Sequence, residues 1–230
     1  MTIWNNEEEL YELSKKELFT ALVGDVLDKM GYRHQFLPPA IKPVDPSMVV
    51  IGKAMTVLEA DVYVDYLDKM DDVRARKPFG LMFKALDGLK KNEVYICSGA
   101  SPAYALWGGL MSTRAIQCGA AGAVLNGYSR DTNEILRLKF PTFSFGGYAQ
   151  DQGVRGKVID YRIPIEINKV RIVPGDIIYG DRDGVVVVPK EAIKDAFEAA
   201  FEKARGEKQV LKALQNGMTS IDAFDTFGIM

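Results

Sequence analysis

Gly119-Ala120-Ala121-Gly122-Ala123-Val124-Leu125-Asn126-Gly127-Tyr128-Ser129-Arg130-Asp131 is the stretch on which the fold turns. Its small residues and apolar run read as a buried strand. A glycine turn then delivers a guanidinium and a carboxylate side by side at the strand's end. A cation that grips a carboxylate, next to an anion that holds a divalent metal, is a minimal toolkit for 2-oxo acid chemistry. The plainer reading is a solvated Arg-Asp pair on a surface, and the surroundings have to decide. The spacing from Gly119 to Gly127 fits neither a dinucleotide fingerprint nor a P-loop.

One helix upstream lies Trp107-Gly108-Gly109-Leu110-Met111-Ser112-Thr113. A glycine pair opening a helix leaves backbone N–H groups at the positive end of its dipole. Beside the end of the Val124-Leu125 strand, those amides and Arg130 would hold one carboxylate from two sides, with Asp131 facing a metal. The alternative is that Gly108-Gly109 is only a tight connection.

Outward from this centre, Glu93 to Cys97 and Val49 to Val57 read as strands, and Phe79 to Leu89, Met111 to Gln117 and Asn133 to Leu138 as helices. Leu10, Leu13, Leu18, Leu22, Val26, Leu27 and Met30 recur at helical spacing, as two helices meeting near Lys16 to Thr20. Asn6 caps the first and Gly31 ends the second. Prolines 38, 39, 43 and 46 mark an extended crossing segment. Beyond Pro141 the period shortens: Thr142–Phe145, Val158–Ile167, Val170–Val173, Ile177–Tyr179 and Val185–Val188 read as strands, and Pro189 opens a long helix through Gln215. No repeat or linker divides the chain, so the expectation is one domain over residues 1–230 with a β-rich second half.

The 230 residues are 47% hydrophobic and 26% charged, with formal net charge −2. That balance invites neither nucleic acid nor an anionic membrane, and no apolar run is long enough for a membrane span. The start of the chain does not resemble a signal peptide. Cys97 and Cys118 read as reduced, buried thiols of a cytoplasmic protein. The single histidine, His34, excludes a histidine-rich zinc site and reads as a loop residue without a role. Asp61 to Lys77 mixes acidic and basic residues; a metal-binding acidic cluster is conceivable, but the interleaved signs favour a solvated helix or lid.

Trp107-Gly108-Gly109-Leu110, Gly119 to Gly127 and Arg130-Asp131 together resemble the family of 4-hydroxy-4-methyl-2-oxoglutarate aldolases and the regulator of ribonuclease activity A. The similarity extends to Leu37 to Pro43, Val173-Pro174-Gly175-Asp176, Asp181 to Pro189 and the tail Gly217 to Phe224. It implies an α/β chain with a three-layer β/β/α swivelling-domain fold and N- and C-terminal helices. It also implies a homotrimer or hexamer with active sites between subunits. The implied activity is a Mg2+- or Mn2+-dependent lyase that cleaves a 4-hydroxy-2-oxo acid to pyruvate, with oxaloacetate decarboxylation alongside. Carried over by position, Arg130 binds the oxo acid and stabilises its enolate, Asp131 anchors the metal, and Gly108, Gly109 and the N–H groups of Leu110 and Met111 hold the carboxylate.

One departure stands out. The aldolases carry an acidic residue twenty-one positions before the arginine, where it orients water and takes part in proton transfer; here that position is Gly109. Either another carboxylate substitutes, from the Asp61 to Asp72 segment or a neighbouring subunit, or the reaction differs. Tyr128 and Ser129 are bulkier and more polar than the small residues often found before the arginine. The alternatives are another reaction at the same site, such as sugar-acid dehydration or isomerisation, and a non-catalytic ribonuclease-regulating protein.

Overall fold

The computed structural model describes residues 3–62 and 79–228. Two helices, α1 (Glu7–Glu17) and α2 (Thr20–Lys29), precede β1 (Lys42–Pro43), β2 (Val50–Asp61) and α3 (Met82–Asp87). Then come β3 (Glu93–Ser98), β4 (Ala105–Trp107), α4 (Gly109–Gln117), β5 (Gly122–Leu125), β6 (Tyr128–Ser129), α5 (Thr132–Leu138) and β7 (Thr142–Ser144). The remainder is β8 (Gly156–Tyr161), β9 (Ile165–Ile167), β10 (Val170–Ile172), β11 (Ile177–Gly180), β12 (Val185–Val188), α6 (Ile193–Gln215) and α7 (Ser220–Phe227). The described residues group into two compact units, one of Met1–Arg33 with Glu191–Met230 and one of His34–Lys190.

The first unit is helical. Asn6 accepts from the Glu9 N–H and so caps α1, whose first turn is acidic, as the dipole favours. The apolar stripe Leu22, Val23, Val26 and Leu27 of α2 is buried, as are Ala196, Phe197, Ala200 and Phe201 of α6, and the two helices pack together. Among the described residues, no helix is long and apolar enough to cross a membrane.

The second unit is built on an eight-stranded sheet in the order β1-β7-β5-β3-β2-β11-β12, with β8 also paired to β2. Strands β7, β5, β3 and β2 run parallel, and β3 and β5 are almost wholly buried, which is why they read as continuous apolar runs. Twelve-residue β2 is long enough to pair β11 along its first half and β8 along its second. Two small sheets, β4–β6 and β9–β10, stand apart from it. With helices α3 to α5 flanking the sheet, and helices at both chain ends, this is the mixed α/β class expected.

Local boundaries differ from the expectation where the backbone turns. Phe79 and Gly80 take positive φ, so the helix expected from Phe79 starts at Met82. The single strand expected over Val158–Ile167 breaks at Arg162, also at positive φ, and becomes β8 and β9 in different sheets. The last long helix begins at Ile193 rather than Pro189. The run ending at Arg130 is two strands, β5 in the main sheet and β6 beside β4, with the turn at Asn126-Gly127 between them.

Candidate functional site

Parallel pairing of β4 with β6 sets Trp107 opposite Ser129, and the Arg130 N–H donates to the Trp107 carbonyl at 2.9 Å. The two chemistry-bearing segments are thereby zipped together: Gly108-Gly109 leaves one strand where Arg130-Asp131 leaves the other. The start of α4 is fixed from below. The buried Trp107 indole N–H donates to Ser112 Oγ at 2.7 Å, and that hydroxyl reaches the Gly108 carbonyl at 3.0 Å. Trp107 itself stacks on Phe140 and tilts against Tyr95.

Asp131 adopts the left-handed conformation (φ 56°, ψ 39°), one that Asp tolerates better than most residues. Its Oδ2 accepts from the Gly109 N–H at 3.1 Å, so its carboxylate sits over the N-terminus of α4. Only glycine permits this approach, since a Cβ at Gly108 would lie 2.6 Å from that same oxygen. A Cβ at Gly109 would lie 2.5 Å from Cγ and 2.9 Å from Cβ of Glu134, three residues beyond Asp131. The volume left by the missing side chain is therefore filled by Glu134, whose carboxylate makes two bonds to Arg137.

A cleft of about 410 Å³ opens on this corner. Gly108, Leu110, Met111, Arg130 and Asp131 line it, so five of the six residues singled out in the sequence share one cavity; Gly109 touches it only through its bond to Asp131. The structure adds two residues that the sequence reading missed. Asp151 Oδ1 pairs with Arg130 Nη1 at 2.8 Å, while its Oδ2 accepts from the Gly153 N–H. Gln152 donates to Oε2 of Glu59 at 2.5 Å. Glu59 lies at a bulge in β2, is fully buried, and its Oε1 has no hydrogen-bond partner among the described residues. Burial pushes this carboxyl up to about 8, against the smaller opposing effect of Gln152.

Other expectations resolve locally. Among the described residues Cys97 and Cys118 are free thiols, and burial raises Cys97 well above its ordinary value, which leaves it inert. His34 is exposed in an irregular stretch. Ser129 is bonded to Ser144 at 3.0 Å, and Tyr128 packs against Phe145 and Tyr148; neither lines the cleft. Asp61 accepts from Tyr104 Oη and the Ser101 N–H, while Asp65, Asp68, Asp71 and Asp72 lie outside the described residues. Among the described residues no group of three or more His, Cys, Asp or Glu forms a ready metal cage.

The sequence profile of the family described as RraA-like: Aldolase/RraA matches residues 20–187. A Halalkalibacterium halodurans protein whose provisional name is 4-hydroxy-4-methyl-2-oxoglutarate aldolase is 28% identical over 205 residues, covering 89% of each chain. Protein DlpA of Legionella pneumophila is 27% identical over 201 residues, or 87% of this chain; the match spans only 31% of DlpA's own length. In three dimensions, Streptomyces coelicolor RraAS2, described as an unusual member of the RNase ES inhibitor RraA protein family, superposes with a TM-score of 0.74. That match covers 89% of this chain and 97% of RraAS2 at 22% identity, and it speaks to the fold alone. With the profile spanning most of the chain and the fold in agreement, the protein belongs to the RraA-like (Aldolase/RraA) family.

Proposed function

We propose that the chain is a cytoplasmic, divalent-metal-dependent carbon–carbon lyase acting on a small 2-oxo or hydroxy acid and releasing pyruvate or a related product. The observation that carries this reading is the convergence of Arg130, Asp131 and the N-terminus of α4 on one corner of a cleft. In this reading the Arg130 guanidinium, which has five donors and gives one to Asp151, grips the oxo-acid carboxylate and offsets the negative charge that builds on the enolate oxygen. The first-turn N–H groups of Leu110 and Met111, which a helix leaves without acceptors of its own, supply further donors.

The donor set suits a hard cation. Asp131 offers carboxylate oxygens on the cleft, and Mg2+ or Mn2+ accepts one or two such ligands while keeping several waters. When bound at Asp131, such a cation supplies Lewis-acid neutralisation of charge on the substrate oxygen. Because Glu134 fills the space beside Gly109 and is itself held by Arg137, proton handling falls to Asp151, the second carboxylate of the cleft. The same reading carries an assembly of three or six copies, in which Leu110, an apolar side chain 87% exposed at the cleft, would be covered by a neighbouring copy.

The deciding experiment is pyruvate release from 4-hydroxy-4-methyl-2-oxoglutarate, oxaloacetate and a panel of 2-oxo acids, with Mg2+, with Mn2+ and with a chelator. Metal-dependent release from at least one is expected. No metal-dependent turnover across the panel would overturn the reading.

A further inference from the structure

The two walls of the cleft differ in chemistry. One carries Arg130, Asp131, Asp151 and Gln152; the other is built by α3 and the turn before it, together with Met111. That second wall presents Phe79, Met82, Phe83 and Leu86, with the two phenyl rings edge to face at 5.6 Å. Phe83 is 54% exposed, although burying a phenyl ring is favourable, so this wall holds aromatic surface in contact with solvent. Its charged residues are Asp87 and Arg114, which bond each other at 2.7 Å. Each lining guanidinium holds one carboxylate, Arg114 that of Asp87 and Arg130 that of Asp151, and Arg130 lies beside Gly108, where the N-terminus of α4 adds further donors for an anion.

From this we infer that the cleft selects a 2-oxo acid with a single carboxylate and an apolar, phenyl-sized remote end, in preference to a dicarboxylate. The inference rests on the reading above in one respect: the carboxylate of the substrate goes to Arg130. The remote end then lies along the α3 wall. A second carboxylate there would lose water against Phe79, Met82 and Leu86 and would have to compete with Asp87 for Arg114, whereas a phenyl group would cover Phe83 and Met82. Phe83 and its neighbours on α3 are the residues that set specificity, by contact with the remote end of the ligand.

Calorimetric titration of the full chain with phenylpyruvate, 2-oxobutanoate and 2-oxoglutarate, in the presence of Mg2+, tests this. Phenylpyruvate is expected to bind at least about tenfold more tightly than 2-oxoglutarate, with 2-oxobutanoate between them. In Phe83→Lys, a substitution at a position 54% exposed, the ratio is expected to shrink or reverse, with circular dichroism confirming that the variant is folded. Equal or tighter binding of 2-oxoglutarate to the unmodified chain overturns the inference, as does an unchanged ratio in Phe83→Lys or the failure of all three acids to bind. Pyruvate release from 4-hydroxy-4-phenyl-2-oxobutanoate and from 4-hydroxy-2-oxoglutarate, measured in parallel, separates the two ideas. Preferential phenylpyruvate binding with no release from either compound defeats the lyase and leaves the preference standing. Release from the dicarboxylate with weaker phenylpyruvate binding does the opposite.

Discussion

At the scale of single residues, Arg130, Gly109 and Asp151 carry different kinds of information. Arg130→Ala is expected to lower kcat/KM by roughly two to three orders of magnitude, the size of effect seen when one charge-stabilising donor is lost. Its pairing with Asp151 is partly exposed, so the thermal midpoint should barely move; a collapsed fold in circular dichroism would count against a purely functional role. Asp151→Asn should depress kcat more than KM in the pyruvate assay if that carboxylate handles protons, and a change in KM alone would reduce it to a binding group. Gly109→Ala drives a methyl group into Cβ and Cγ of Glu134, atoms close to the helix backbone that have little room to swing. A loss of about 1–3 kcal/mol in urea unfolding is expected. Glu134→Ala in the same background removes the closest contact and should recover most of it. Arg130 and Asp131 stood out in the sequence because a guanidinium and a carboxylate close a run of small, apolar residues. Asp151 did not, because twenty residues and a change of sheet separate it from its partner, and nothing near it in the chain marks it. Glu134 was within reach, since it follows Asp131 by three residues on a helix and therefore shares its face.

At the scale of elements, the site depends on how β4 and β6 are clamped to α4. The bond from Trp107 to Ser112, continued to the Gly108 carbonyl, ties the end of one strand to the first turn of the helix. Ser112→Ala strands a buried indole donor, and a loss of about 1–3 kcal/mol is expected, together with a weaker grip on oxo acids; unaltered stability would show that water replaces the hydroxyl. Helices with both a periodic stripe and a stop, such as α1, α2 and α5, were legible in the chain. So were the parallel core strands, whose burial on both faces shows as unbroken apolar runs. The turns at Phe79 and Arg162 were not: these residues take positive φ but carry no composition signal for it, so α3 was read too long and β8 and β9 as one. Pairing of β6 with β4 was also hidden, since two-residue strands have no period to detect.

For the whole molecule, stability should follow the buried Glu59. In the unfolded chain this carboxyl releases its proton near pH 4.5, while in the fold burial delays release to about 8. Between those values the native state holds a proton the unfolded state has lost, so stability falls as pH rises, by on the order of 1 kcal/mol per pH unit, and levels off above about 8. Thermal or urea unfolding from pH 5 to 9 should show this decline, and Glu59→Gln should flatten it; matching slopes in the two proteins would remove Glu59 as the cause. In solution the chain should sediment as three or six copies at micromolar concentration. A Leu110→Asp variant should shift the mass toward one copy, whereas a monomeric parent chain would leave the exposed rim without that explanation.

Glu134 and the empty side of Gly109 share one volume, and this sets a rule of inheritance. Relatives that keep this backbone are free to place an acidic group on the first turn of α4 or on the first turn of α5, but a long side chain at both positions cannot be packed. Across a lineage the two positions should therefore trade bulk: an acid gained at 109 accompanied by a small residue at 134, and the reverse. The carboxylate at this corner would then be a property handed back and forth between two helices, and a chain with glycine at 109 would record one side of that exchange.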